Sequence, residues 1–187
     1  GQPLLGKQKA REVDSPDHVI LVDAEDREVG TMEKLEAHRK GLLHRAFSIF
    51  IFSPDRLCLI QRRASGKYHS GGLWSNACCS HPRPGEGMET ATNRRLEEEL
   101  GVHAELRELF EVSYDLDVGN GLREAEYNHT YVGNLESDVS IRPDPEELSE
   151  YAWKPVAEIE ADLAAGGKGY APWFVFLFPR VRDALKR

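Results

Sequence analysis

The densest apolar run in the chain lies between Arg45 and Phe52, where Ala46-Phe47-Ser48-Ile49-Phe50-Ile51-Phe52 mixes aromatic and β-branched residues suited to a pleated, buried surface. Pro54-Asp55 turns the chain, and Leu57-Cys58-Leu59-Ile60-Gln61 resumes the pattern, so two core strands are predicted. Upstream, His18 to Val22 reads as a strand, Asp23 to Asp26 as a turn and Glu28 to Thr31 as the return strand of a hairpin. Downstream, a loop rich in Gly and Ser covers Ser65 to Gly72. Glu86 to Leu100 then carries good helix formers, with Gly87 the only breaker, and Gly101 stands where a helix stop belongs. Glu105 to Leu116 and Glu124 to Leu135 alternate like two strands joined at Gly119-Asn120-Gly121. Pro155 and Pro172 sit where first-turn prolines start helices. Pro179 predicts a kink or break between Phe178 and Arg180.

The order is β-rich with helices interleaved late, and 187 residues without a repeat or linker predict one domain. Residues 1–16 read as a flexible polar tail and residues 17–187 as the domain. No apolar run approaches the ~20 residues that cross a bilayer, so no membrane partner is expected. A net charge of -8 argues against a nucleic-acid backbone, which needs a clustered excess of Lys and Arg. A single diphosphate stays open, because two or three cations can hold it in an acidic protein. Cys58, Cys78 and Cys79 cannot all pair and no secretory segment is evident, so a reducing cytoplasmic setting is expected.

The chemistry concentrates where N-A-C-C-S-H-P-R-P-G-E, Asn76 to Glu86, runs into the predicted helix. Cys79 and His81, two apart on an extended segment, share one side of it. Glu97, Glu98 and Glu99 close the helix at its negative end, which disfavours acids unless a cation offsets them, so the triplet suggests a divalent metal. His38 and His44 flank Arg39 to Leu43, and Glu124 and Glu126 share a strand face. With His81 they offer three nitrogens and two carboxylates, which suits a six-coordinate divalent ion better than a closed tetrahedral zinc site.

From Glu86 through Arg94 to Glu98, Glu99, Gly101 and Val102 the spacing resembles the Nudix box, with Ser80 where the signature has a glycine and Arg95 where it has a glutamate. Over roughly Asp17 to Phe178 the chain resembles the type I isopentenyl diphosphate isomerases of the Nudix fold. The resemblance is carried by E-K-L-E-A-H, L-H-R-A-F, Q-R-R-A, L-W-S-N-A-C-C-S-H-P, R-R-L-E-E-E-L-G-V, E-A-E-Y and A-P-W-F. It implies an α+β, α/β/α sandwich-like Nudix fold: a mixed central β-sheet flanked by helices, with an extra N-terminal hairpin. It also implies interconversion of isopentenyl and dimethylallyl diphosphate in isoprenoid biosynthesis, in a monomer or weak homodimer. His38, His44, His81, Glu124 and Glu126 would then bind one divalent metal (Mn²⁺, Zn²⁺ or Mg²⁺), and Glu99 would help hold a Mg²⁺ bound with the substrate. Lys34, Arg63, Lys67 and Arg95 would contact the diphosphate. Cys79 rather than Cys78 would be the base, Glu126 with Tyr114 the proton donor, and Trp173 the aromatic wall against a carbocation. Cys78 and Cys58 read as small buried residues. The rivals are a Nudix hydrolase of nucleoside diphosphate derivatives and a non-catalytic metal-binding module.

Overall fold

A computed structural model describes residues 18–186, and the tail expected over residues 1–16 lies outside the described residues. The chain runs β1 (His18–Val22), β2 (Glu28–Glu33), α1 (Lys34–Lys40), β3 (His44–Phe52), β4 (Leu57–Arg63), β5 (Trp74–Asn76) and β6 (Cys78–Ser80). It continues through α2 (Met88–Leu100), β7 (Arg107–Gly119), β8 (Leu122–Asn134), β9 (Leu148–Pro155), α3 (Val156–Ala164) and α4 (Pro172–Leu185).

One mixed sheet is built around β3. It pairs parallel with β8 and antiparallel with β1, β4 and β6, while β7 extends β8, and β5 and β9 flank β4. Alternation along β3 feeds two cores. Phe47, Ile49 and Ile51 pack with Ala91, Leu96 and Leu100 of α2. Phe50 and Phe52 pack with Ile159 of α3 and Phe174, Leu177 and Phe178 of α4. Helices therefore cover both faces, the expected sandwich. The same alternation separates the adjacent thiols, Cys78 joining the α2 side and Cys79 the α4 side.

The predicted hairpin, core strands, main helix and β7–β8 pair are present, with ends shifted by a few residues. Helix α2 begins at Met88 because Gly87 is its N-cap, and Pro155 caps α3 rather than entering it, whereas Pro172 opens α4 as predicted. The break expected at Pro179 is not there, and α4 is continuous through it. An interior proline costs a helix ~3 kcal/mol. Burying Phe174, Leu177, Phe178 and Val181 from the same helix returns roughly 1.5–3 kcal/mol for each large side chain. The carbonyl that loses its donor belongs to Val175, an exposed residue within reach of water.

Candidate active site and metal centre

Strand register assembles the site. In the β3–β8 pair His44 lies opposite Glu126, in β7–β8 Tyr114 lies opposite Glu126, and in β3–β6 Ser48 lies opposite Cys79. A slip of one residue in any of these would send the side chains to the other face. His38 comes from α1, whose start is capped by Glu33 accepting from the backbone N–H of Leu35 and Glu36. The helix ends at Gly41 in the left-handed region (φ 65°), which returns the chain to β3 within a few residues of His38. One ligand atom from each of His38, His44, His81, Glu124 and Glu126 lies within 4.8 Å of all the others.

The hydrogen bonds of this cluster fit a cation at its centre. His38 Nδ1 lies 2.7 Å from the Lys34 carbonyl and His44 Nδ1 lies 2.9 Å from that of Leu42. A carbonyl only accepts, so each ring carries its proton on Nδ1 and a neutral ring aims the Nε2 lone pair inward. His44 Nε2 is buried without a hydrogen-bond partner, and Glu126 Oε2 stands 3.5 Å away. His38 Nε2 faces Glu124 Oε1 at 2.6 Å, and His81 Nε2 faces Glu126 Oε2 at 3.0 Å. Lone pairs and anions thus point at one another, an arrangement that needs shared protons or a metal ion. Burial, then the neighbouring Glu126, raises the Glu124 carboxyl to about 7. Burial acts the same way on Glu126, but its hydrogen bonds with Glu124 and His81 outweigh it and hold that carboxyl well below its ordinary range. The residues present can hold a divalent metal, with backbone carbonyls orienting two of the imidazoles from behind.

Cys79 sits across a narrow inner cavity of about 30 Å³ that is also lined by His81, Glu124, Glu126 and Trp173. Its proton can be placed. Asn76 Nδ2 donates to the carbonyls of Ile49 and Cys78, which turns Asn76 Oδ1 toward Cys79 Sγ at 3.2 Å, so the thiol donates there. Burial pushes this thiol up to about 12, against a hydrogen bond with Ser48 that favours the thiolate. Burial lowers His81 to about 3 and leaves its imidazole neutral, so positive charge beside Cys79 would have to come from a metal held by the cluster. Cys78, fully buried, is also pushed well up, by burial and by Glu99.

Two short networks tie the cavity walls together. Trp173 Nε1 donates to Ser75 Oγ at 2.7 Å, and Ser75 donates to Asn76, which accepts from Cys79. Tyr114 donates its hydroxyl to Glu126, while Asn128 donates to both Tyr114 and Ser48, whose Oγ is 3.4 Å from Cys79 Sγ. Burial, then Glu126, keeps the Tyr114 phenol protonated.

The inner cavity opens into an outer one of about 180 Å³, where Lys34, Arg63, Lys67 and Arg95 converge with Glu99. All four cations are engaged. Lys67 pairs with Glu147 at 2.8 Å and Arg95 pairs with Glu99 and Glu98. Lys34 lies over the Tyr68 ring and Arg63 over Trp173, each about 5 Å from the ring centre. The glutamate triplet needs no metal for two of its members: Glu97 pairs with His103 and Arg142, and Glu98 with Arg94 and Arg95. Only Glu99 is buried at the cavity. The two departures from the Nudix signature touch each other, since Arg95 Nε donates to Ser80 Oγ at 3.0 Å.

Residues 42–174 match the NUDIX domain family. The chain is 45% identical over 88% of its length to the Aromatoleum aromaticum protein named isopentenyl-diphosphate Delta-isomerase 2, of which it covers 86%. It is also 45% identical, over 88% of its length, to the Pectobacterium atrosepticum protein named isopentenyl-diphosphate Delta-isomerase, of which it covers 91%. The chain belongs to the isopentenyl-diphosphate Delta-isomerases of the NUDIX family. Among solved structures it resembles the DR0079 protein of Deinococcus radiodurans, with a TM-score of 0.73 at 22% identity over 87% of this chain and 98% of that one, a likeness of fold. No helix among the described residues is long and apolar enough to cross a membrane.

Several residues at the site were not singled out from the sequence. Ser48 and Asn128 are fully buried polar residues in apolar strands, and that mismatch was their signal. Gln61, which donates to Glu99, ends an apolar strand. His69 lay in what read as a Gly/Ser loop.

Proposed function

We infer that this protein interconverts isopentenyl and dimethylallyl diphosphate, moving the double bond by adding one proton and removing another through a tertiary carbocation. The observation that carries the reading is that Cys79 and Glu126 line a single narrow cavity with Trp173 as its wall, directly below a chamber of four cations. Lys34, Arg63, Lys67 and Arg95 would hold the diphosphate, exchanging their present carboxylate and aromatic partners for phosphate oxygens. Glu99 would hold a Mg²⁺ arriving with the substrate. The five-carbon chain would then reach from the outer chamber to the mouth of the inner cavity beside Cys79, displacing water that would otherwise capture the cation.

His38, His44, His81, Glu124 and Glu126 would hold one divalent metal, Mn²⁺, Zn²⁺ or Mg²⁺. When bound, it would supply positive charge beside Glu126 and Cys79, favouring a carboxylate and lowering the cost of a thiolate.

In the resting protein the thiol carries a proton and Glu126 does not. That state supports Cys79 as the donor to the terminal alkene carbon and Glu126 as the acceptor of the allylic proton, the reverse of the division expected from sequence. The product state, thiolate opposite carboxyl, is the starting state of the reverse reaction, so protons balance in both directions. Tyr114, hydrogen-bonded to Glu126, would steady whichever form that carboxyl takes. Trp173 would face the tertiary cation with its π-cloud, an effect of ~2 kcal/mol in a desolvated site.

Incubation with isopentenyl diphosphate and, separately, with nucleoside diphosphate derivatives tests the reading. Isomer formed without phosphate release is expected, whereas nucleotide cleavage without isomer would replace it with the hydrolase.

A further inference from the structure

We propose that His69 is a positioning residue that ties together the metal cluster, the aromatic wall and the anion-binding chamber. The proposal rests on the isomerase reading for its catalytic part and on geometry alone for its metal part.

Three interactions meet at this residue. Its Nε2 lies 2.7 Å from Glu124 Oε1, the same oxygen that faces His38. Its ring stands edge-on to Trp173, with centres 5.5 Å apart, and is buried to 2% exposure. Its backbone carbonyl accepts from Arg63 Nη2 at 3.1 Å, the guanidinium that lies over Trp173.

Hydrogen-bond logic separates His69 from the ligand imidazoles. In His38 and His44 a carbonyl behind the ring fixes the proton on Nδ1 and leaves Nε2 as a lone pair. Behind His69 stands a hydroxyl, Ser70 Oγ at 3.1 Å, which can donate as readily as accept. His69 is therefore free to carry its proton on Nε2 and donate it to Glu124. A lone pair serves a metal, while an N–H serves the carboxylate that binds one. The donated bond loads Oε1 of Glu124 from outside the cluster, fixing the rotation of that carboxylate.

The loop around His69 is shaped for this placement. Ser70 takes a positive φ of 54°, and a Cβ on Gly71 would come within 2.7 Å of the Ser65 carbonyl oxygen. Strain of this kind persists where the surroundings fix the backbone. Here Lys67 lines the outer cavity, His69 the inner one, and Tyr68 between them lines both.

The test compares His69→Ala with His69→Gln, whose amide can place a donor near the position of Nε2. Zn²⁺ affinity, measured by competition against a chromophoric chelator, should fall roughly 10–100-fold in His69→Ala and return to within about threefold of the parent in His69→Gln. Turnover of isopentenyl diphosphate should fall in His69→Ala, with KM within about threefold of the parent, because the imidazole supports Glu124 and Trp173 at the reacting end and leaves the diphosphate end untouched. Parent-like Zn²⁺ affinity in a folded His69→Ala, or His69→Gln binding Zn²⁺ as weakly as His69→Ala, would overturn the proposal. If His69→Ala does not fold, His69→Gln decides alone, and a drop of more than about tenfold in its affinity overturns it. A parent protein with no isomerase activity would defeat the functional reading while leaving the Zn²⁺ comparison intact.

Discussion

The inner and outer halves of the site are built on opposite principles. The inner half hangs on paired strands, is almost fully buried, and keeps a lone pair on His44 and a carboxylate on Glu126 without enough protons to satisfy them. The outer half draws on the loop after β4 and on α2, and each of its cations already has a carboxylate or an aromatic face. The first could hold one ion without rearranging. The second must trade partners when an anion arrives. Substitutions in the inner half should therefore lower kcat, and those in the outer half should raise KM.

The largest expected effect is at the proton-transfer pair. Cys79→Ala or Glu126→Gln should lower kcat by on the order of 10³-fold, whereas Cys78→Ala, one residue away but on the α2 side of the sheet, should stay within about threefold. Steady-state kinetics on the three variants checks this, and equal damage at both cysteines would erase the distinction. Trp173→Leu comes next, with a fall in kcat of about 30-fold from the loss of ~2 kcal/mol of cation stabilisation. Lys67→Met should instead raise KM roughly tenfold at little change in kcat, one charge-assisted contact being worth ~1.5 kcal/mol. A kcat effect from Lys67→Met larger than its KM effect would blur the two halves.

The smallest effect belongs to a pair at the rim of the outer half. Arg94 donates to both oxygens of Glu86, which with backbone help holds that carboxyl below its ordinary value of 4.5. Because the folded value is depressed, the stabilisation is present above 4.5 and is lost as pH falls through the folded value. Glu86→Gln should cost about 1 kcal/mol near neutrality and progressively less in acid. Thermal melts at pH 7 and below 4 read the difference.

Long, strongly patterned elements were legible in the sequence: the β3 apolar run, the β7–β8 pair around Gly119-Asn120-Gly121, and α2 up to Gly101. Short ones were not. Helix α1 has seven residues, too few for a 3.6-residue period to show, and it forms because Glu33 caps it and the sheet receives Ala37 and His38. Strands β5 and β6 have three residues each and exist only through pairing with β4 and β3. The clustering of His38, His44 and His81 was legible through the family resemblance and through their company of carboxylates. His69 was hidden because a Gly/Ser-rich stretch carries no periodicity to say where its side chains point. The protonation of Cys79 was likewise beyond the sequence, since it depends on which way the Asn76 amide turns.

Proton NMR of isopentenyl diphosphate in deuterated water, with and without a chelator, puts the most weight on the account. With metal present, deuterium should enter the new methyl group as dimethylallyl diphosphate forms, the diphosphate should stay whole, and the chelator should stop both exchange and isomerisation. Isomerisation that continues at full rate in metal-free protein, or a substrate left undeuterated while its phosphate is released, would contradict it.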